Sequence, residues 1–334
     1  MYSGIRSLKE KRSLTHSIVK GIIMKKLSIY AVLLFILFPS SAFSHEISLN
    51  LGILKVIDAL PLIVAKDRGL FSDQGLDVEL ISFNSALERD AALSAGHIDG
   101  SFSDLVSIVF LNRAGADLRV ITQAYHTTRA SRMFAILASP TSTINTIKGI
   151  DKTPVAISNA SIIEYLLDVM AESNNIPPEK IKKIEVRSMP IRYQMLINNS
   201  VALALLPEPL VSMAINEGAQ VLADDRGLDM TETIIAIKRN TLEKNPGLYP
   251  GFIKAYTMAV RMINSDPAAF MDLMVKETRF PAALKDSFTL PEFPEPACPP
   301  KKEINRVESW LKAKGLLDKE IPYKDLVWGK TPRP

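Results

Sequence analysis

The sequence predicts an α/β fold with mixed, mostly parallel sheets, and three observations lead there. Short apolar runs alternate with helix-spaced segments from residue 47 onward, the succession expected of strand–helix–strand units with parallel neighbours. A second set of the same kind starts near residue 133, and after Pro246 the pattern is helical only, so the second set reads as inserted before a helical tail. The composition is globular: 334 residues, 47% hydrophobic and 23% charged, enough for two domain-sized units with full cores.

Ile47–Ile53 alternates apolar and polar positions and predicts a strand. Ala59–Gly69 has helical spacing and stops at Gly69, where a positive φ is cheap. Leu76–Phe83 alternates again, with Val78 and Leu80 on one face. Asn84 or Ser85 caps the next helix, which carries Leu87, Ala91 and Leu93 and stops at Gly96. Ile98–Phe102 predicts a short strand, Asp104–Ala114 a helix and Arg119–Tyr125 a strand. In the second set, strands are expected at Met133–Ala138, Pro154–Ser158, Lys182–Arg187, Ala202–Leu206, Gln220–Ala223 and Thr233–Lys238. Helices are expected at Ile162–Ser173, Ile191–Asn199 and Leu210–Glu217, and in the tail over 248–264, 267–277 and 301–314. Residues 291–300 hold five prolines and cannot form regular structure, which places Cys298 on an exposed loop. No internal repeat is evident.

The charge of +4 belongs to the N-terminal segment. Residues 1–44 hold seven basic side chains and one acid, and the remainder carries 33 basic against 35 acidic residues, with no basic stripe for nucleic acid. Met24-Lys25-Lys26, the apolar run Leu27–Phe38 and the small residues Ala42 and Ser44 have the order of a signal peptide cleaved after Ser44. The apolar run is shorter than the ~20 residues of a membrane span. Residues 1–23 precede a natural start at Met24 and read as a misassigned extension, with residues 24–44 as the signal peptide and His45 as the mature N-terminus. A lone cysteine, Cys298, excludes an intrachain disulfide framework and a thiolate zinc cluster. Four histidines without HExxH spacing argue against a histidine-based metal enzyme, and no metal or cofactor is expected. Neither phosphate-cradling glycine loop is present, and Gly100-Ser101-Phe102-Ser103-Asp104 only approaches a nucleophile elbow because it lacks the second glycine. An exported chain without a catalytic signature favours a binder over an enzyme.

Pro61-Leu62-Ile63-Val64-Ala65-Lys66-Asp67-Arg68-Gly69-Leu70-Phe71, followed by Gly75-Leu76-Asp77-Val78-Glu79, resembles the nitrate/sulfonate/taurine type of periplasmic substrate-binding protein, a family that also includes binders of thiamine-pyrimidine precursors. The resemblance continues through Ala91–Gly100 and Leu205-Leu206-Pro207-Glu208-Pro209 and covers most of 47–330. The physical reason for the first block is mainly structural, since Leu62, Ala65, Leu70 and Phe71 close the apolar face of a helix on the sheet. The resemblance implies a two-lobed periplasmic-binding-protein-like (type II) fold with a ligand cleft between the lobes. Lobe one would comprise 46–130 plus 233–334, lobe two 131–232, with hinges at Arg129–Met133 and Glu232–Lys238. It further implies a monomeric periplasmic receptor that hands a small molecule to an inner-membrane ABC permease powered by a separate ATPase. Two alternatives are an enzyme on the same fold, related to a pyrimidine-precursor synthase, and a ligand sensor acting through a membrane partner. The synthase family's cysteine-rich motif has no counterpart here.

Ligands of open α/β sheets sit beyond the carboxyl ends of strands, facing helix N-termini whose free N–H groups favour anions. That geometry nominates Asp58, Asn84, Ser103, Asp104 and Tyr125 from lobe one and Ser158, Asn159, Ser161 and Glu208 from lobe two, with Lys55, Ser85, Thr127, Arg187 and Met189 nearby. Each also has a structural reading. Asn84, Ser103 and Ser158 are favoured caps whether or not a ligand binds, and Glu208 suits a helix dipole. Two inward carboxylates among Asp58, Asp104 and Glu208 would favour a neutral or amine-bearing ligand over a small inorganic anion.

Overall fold

The computed structural model describes residues 46–329, so the signal peptide expected over 24–44 lies outside the described residues. The strands are β1 (Ile47–Leu54), β2 (Leu76–Phe83), β3 (Gly100–Ser103), β4 (Leu118–His126), β5 (Phe134–Ala138), β6 (Val155–Ile157), β7 (Lys183–Glu185), β8 (Leu203–Pro207), β9 (Gln220–Asp224) and β10 (Thr231–Lys238). The helices are α1 (Leu60–Asp67), α2 (Ala86–Ser94), α3 (Leu105–Arg113), α4 (Ile162–Ser173), α5 (Met189–Ile197), α6 (Leu210–Asn216), α7 (Arg239–Lys244), α8 (Leu248–Ser265), α9 (Met271–Thr278), α10 (Lys301–Ala313) and α11 (Tyr323–Leu326). Short 3-10 turns join several of them.

Two five-stranded sheets form, ordered β2-β1-β3-β10-β4 and β7-β6-β8-β5-β9. The period-2 patterns of β1 and β2 pair in parallel over their full length, Ile47 against Leu76 through Leu54 against Phe83. In the first sheet β10 is the antiparallel member, between β3 and β4. In the second, β5 is antiparallel to both β8 and β9. The two orders are the same topology twice, with β6, β7, β8, β5 and β9 in the places of β1, β2, β3, β10 and β4. Sequence showed no repeat because side-chain identity is free to drift wherever size and period are kept.

The chain crosses between sheets at 127–133 and returns at 225–230. Glu232–Lys238, expected as a hinge, instead lies inside β10, where both edges are hydrogen-bonded. The crossings are pinned to each other: Thr127 N donates to Met230 O at 2.9 Å, Met230 N to Thr127 Oγ1 at 2.9 Å, and Met133 N to the Asp225 carboxylate at 3.0 Å.

The tail packs back on the first sheet's side. Phe71, Phe252 and Tyr256 stack successive rings, centroids 5.1 and 6.3 Å apart, joining the turn after α1 to α8. The proline-rich segment is irregular, as expected, yet it is tied to β4, with Gln123 N donating to Ala297 O at 2.7 Å and Ala297 N to Thr122 Oγ1 at 3.1 Å. Cys298 is accordingly half-buried rather than exposed, and desolvation pushes its thiol pKa up, away from a reactive thiolate.

Two glycines permit close approach. A Cβ on Gly100 would lie 2.5 Å from Ala236 O, so β3 and β10 meet only through a bare backbone. A Cβ on Gly52 would lie 2.6 Å from Ile98 Cδ1 and 3.1 Å from Arg89 Cγ, so this glycine makes room for the stem of a buried arginine on the sheet.

Candidate functional site

A cavity with about 520 Å³ of empty space, part of it open to solvent, is lined by residues from both sheets and their helices. Its apolar surface comes from side chains such as Phe102, Phe134, Ile163 and Met189. Its polar groups converge from strand ends and helix starts.

Among the described residues, Arg89 and Arg192 are the two largest fully buried side chains. Each lies in the helix after the second strand of its set, and each donates to a carbonyl of the third: Arg89 Nη1 to Phe102 O at 2.8 Å, Arg192 Nε to Leu205 O at 2.9 Å. The duplicated topology thus carries a duplicated arginine. The two differ in what remains free. Arg89 also holds Asp90 Oδ1 at 2.9 Å through Nε and reaches Ser107 Oγ at 3.4 Å through Nη2. Arg192 Nη1 donates to Val186 O at 2.7 Å, and its Nη2 is buried without a partner. Burial pushes the Arg192 pKa down to about 10, which leaves it charged at neutral pH. A buried, charged N–H with nothing to donate to is costly, and an acceptor on a ligand would satisfy it.

Asp58 sits at the start of the turn before α1, where Oδ2 accepts from Thr233 Oγ1 at 2.8 Å and Oδ1 has no partner. Burial pushes its pKa up to about 7, so near neutrality it exchanges between a carboxylate and a carboxylic acid. Ser103 Oγ, at the end of β3, is also buried and unpartnered. Asp104 lines the same wall but is occupied as the cap of α3, accepting from Ser107 N at 2.8 Å and Ser107 Oγ at 3.0 Å.

From the second sheet's side come Ser158 and Ser161, in the turn before α4. Ser161 caps α4 by accepting from Ile163 N at 3.2 Å and donates through its own hydroxyl to Ser158 O at 2.6 Å. Ala160 between them has φ 51°, a left-handed conformation that costs a non-glycine residue about 1–2 kcal/mol. Glu164 Oε2 holds that turn through Ala160 N at 2.7 Å. Strain maintained by surrounding hydrogen bonds at a cavity wall is the pattern of a functional turn.

Of the residues nominated from sequence, Asp58, Ser103, Asp104, Ser158 and Ser161 line the cavity, as do Arg187 and Met189. Asn159 lines an adjoining outer groove instead, with its backbone N donating to Glu185 Oε2 at 3.0 Å. Three nominated residues lie outside the cavity lining. Asn84 is exposed and outside the cavity lining, and it is Ser85 that caps α2, accepting from Glu88 N at 3.2 Å. Tyr125 is fully buried outside the lining, with its pKa raised first by burial and then by the charges of Glu232 and Asp225, so it offers no stacking face. Glu208 also lies outside the lining, its carboxylate accepting from Arg132 Nη2 at 2.9 Å, Ser212 N at 3.0 Å and Ser212 Oγ at 3.0 Å. Its carbonyl accepts from Ile57 N at 3.3 Å, linking the two sheets' sides. Among the described residues, no group of three or more His, Cys, Asp or Glu could hold a metal ion.

The profile of the NMT1-like family matches residues 44–276. The chain belongs to that family. No curated protein matches it in sequence. Among solved structures it is similar to the alkanesulfonate-binding protein SsuA from Xanthomonas axonopodis pv. citri bound to MOPS, with 19% identity, TM-score 0.72, 84% of this chain and 98% of that one covered. It is similar, too, to the periplasmic aliphatic sulphonate binding protein SsuA from Escherichia coli, with 20% identity, TM-score 0.71, and coverage of 86% and 94%. A third similar structure is that of a DszB mutant in complex with biphenyl-2-sulfinic acid, with 12% identity, TM-score 0.62, and coverage of 84% and 96%. At these identities the likeness establishes the periplasmic-binding-protein fold.

Sequence reasoning missed Arg89 and Arg192 because arginine on a helix ordinarily reads as solvated. A signal was present. Arg89 falls three residues after Ala86 and four before Leu93, and Arg192 three after Met189 and four before Leu196, on the buried faces of their helices. An arginine on an apolar stripe needs internal acceptors, and strand-end carbonyls supply them.

Proposed function

We propose that this protein is the solute-binding receptor of an ABC-type import system, capturing a small polar organic molecule between its two lobes and delivering it to a membrane permease driven by a separate ATPase. In this reading the first lobe carries the first sheet and the helical tail, the second lobe carries the second sheet, and the crossings at 127–133 and 225–230 flex as hinges during closure. The receptor works in the periplasm as a monomer after cleavage behind Ser44, so N-terminal sequencing of exported protein should read His45-Glu46-Ile47; a chain beginning at Met1 would refute export. In this reading it performs no catalysis, and the chain's only thiol, Cys298, is outside the cavity lining and packs toward Trp328 O at 3.7 Å.

The observation that carries this reading is Arg192, a lining residue of a largely apolar cavity shared by both halves, whose Nη2 is buried without a partner. Of the three carboxylates expected to face a ligand, Glu208 is outside the lining and Asp104 is occupied by Ser107, which leaves Asp58. A ligand that presents an anionic or strongly accepting group to Arg192 and a polar hydrogen to Asp58 would satisfy both orphans. A melting-temperature screen of residues 45–334 against taurine, alkanesulfonates, nitrate, pyrimidines, amino acids and small amines tests this. A ligand that binds only the folded state stabilises it by about 2.7 kcal/mol at a hundredfold excess over Kd. A saturable shift that Arg192→Lys diminishes supports the reading, and a shift indifferent to that substitution would refute the assigned anchor.

A further inference from the structure

The return crossing runs into a buried acid. Glu232 is 0% exposed and sits at a bulge in β10: Thr231 pairs with His126 and Thr233 with the adjacent Tyr125, so Glu232 has no partner across the ladder to β4. Neither of its carboxyl oxygens accepts a hydrogen bond from an N–H or O–H group. What lies within hydrogen-bonding reach is another acid, Asp225, also 0% exposed. Asp225 is fastened to the second sheet, where its carboxylate accepts from Met133 N at 3.0 Å and its own N donates to Phe134 O at 3.2 Å. Glu232 therefore belongs to the first sheet and Asp225 to the start of β5 in the second. Two buried carboxyls at this range cannot both ionise, and they can hydrogen-bond to each other only through a proton. The further charge acting on Glu232, that of Asp58, is acidic as well, and the Tyr125 phenol lies in the field of both acids. Nearby cationic groups are engaged elsewhere: Arg132 holds Glu208 at 2.9 Å, and His126 lies 3.6 Å from Glu303 and 3.8 Å from Asp229. Burial, and after it the charge of Asp225, holds the Glu232 pKa well above the ordinary carboxylate range, while burial raises Asp225 to about 6.

We propose that Asp225 and Glu232 share one proton across the hinge, so that a carboxylic acid donating to a carboxylate ties the two halves together and closing the lobes takes up that proton. This proton site rests on the hinged receptor reading above and makes a proton the protein's second ligand. When the lobes part, Asp225 follows β5 away from Glu232, water reaches both groups, and each ionises as an ordinary carboxylate does. The closed arrangement then holds one proton more than the open one. Between the ordinary carboxylate range and the raised value of the pair, closure weakens as pH rises, by up to about tenfold in its equilibrium constant per pH unit. Below that range both arrangements are protonated and the coupling vanishes.

Infrared absorption and small-angle X-ray scattering of the ligand-free protein between about pH 5 and about pH 9 test the assignment. Glu232→Gln is the deciding variant, because its amide N–H donates to the Asp225 carboxylate with no proton to lose. Should it not fold, Asp225→Asn supplies the same donor from the other side. The wild-type spectrum minus that of the variant should keep the carbonyl band of a protonated carboxylic acid well above the pH at which ordinary carboxylates ionise; Asp58 is present in both proteins and cancels. The wild-type radius of gyration should grow as pH rises, the variant should stay compact throughout, and His126→Gln should follow the wild type. Absence of the band, a wild-type radius that does not change with pH, or an expansion that survives in the variant would overturn the shared proton and leave the receptor reading to the ligand screen, in which neither acid takes part. If the band and the expansion are found while none of the screened solutes shifts the melting temperature, the receptor reading falls and the proton-linked hinge stands.

Discussion

Replacing Asp58 by asparagine probes the electrostatics of the cavity without changing its shape. The carboxyl is 1% exposed, and burial raises its pKa from 3.8 to about 7. A carboxylate whose folded pKa lies above its unfolded one contributes full stability only below the unfolded pKa, and that stability is lost as pH rises through the folded value. With those two values the cost is already about 1.7 kcal/mol at pH 5 and reaches about 4 kcal/mol at pH 8, so the loss across that interval is roughly 2.5 kcal/mol. Asparagine is nearly isosteric, retains an oxygen to accept from Thr233, and has no ionisation to pay for. Urea unfolding of ligand-free wild type and Asp58→Asn at pH 5 and pH 8 measures the difference directly. The variant should gain roughly 2.5 kcal/mol on the wild type between the two pH values. Asp225, raised to about 6, and Glu232, raised well above the ordinary carboxylate range, titrate in both proteins and largely cancel in the comparison. Parallel pH profiles would show that Asp58 is solvated, and would remove the argument that it awaits a ligand.

Arg192→Met should destabilise by about 2–4 kcal/mol, because it leaves the carbonyls of Leu205 and Val186 unpaired in the interior, and calorimetry should detect no remaining ligand binding. Gly100→Ala should lower stability by about 3 kcal/mol or prevent folding, since its Cβ would meet Ala236 O at 2.5 Å and backbone cannot step aside as a side chain can; thermal unfolding gives the value. Lys314 binds Glu164 Oε1 and Asp168 Oδ2, each at 2.8 Å, and lies 5.0 Å from the Trp310 ring, while Trp310 Nε1 donates to Asp168 Oδ2 at 2.9 Å. These contacts join the end of α10 to α4, whose capped start lines the cavity. Lys314→Met should cost about 1–2 kcal/mol, reduced by its partial exposure, and should alter Trp310 fluorescence; an unchanged emission spectrum would show that the cluster does not form in solution.

Local chemistry made most of the elements legible. The helix Ile162–Ser173 agrees residue for residue with expectation, because its apolar period and the cap at Ser161 specify the same start. The second chain crossing was misplaced because a β-branched run such as Thr231–Lys238 reads equally well as a linker strand or a sheet strand until its hydrogen-bonding neighbours are known. Five of the nine nominated site residues line the cavity, because strand ends and helix caps are where open sheets expose free backbone groups. Asn159 lines the adjoining groove, and the remaining three lie outside the cavity lining for reasons beyond local sequence. Glu208 found Arg132, 76 positions away, and Tyr125 was buried beside Asp225 of the return crossing and Glu232 of β10.

The sequence by itself determined the alternation of strands and helices, the caps, and the α/β class, since these follow from periodicity and backbone preference within a few residues. Only the tertiary structure decided which polar groups are left without partners. The free energy of a buried charge depends on what lies within about 3 Å of it, whatever the separation along the chain. Arg89 and Arg192 occupy matching places on matching helices, and packing alone satisfied one and left an N–H of the other without a partner.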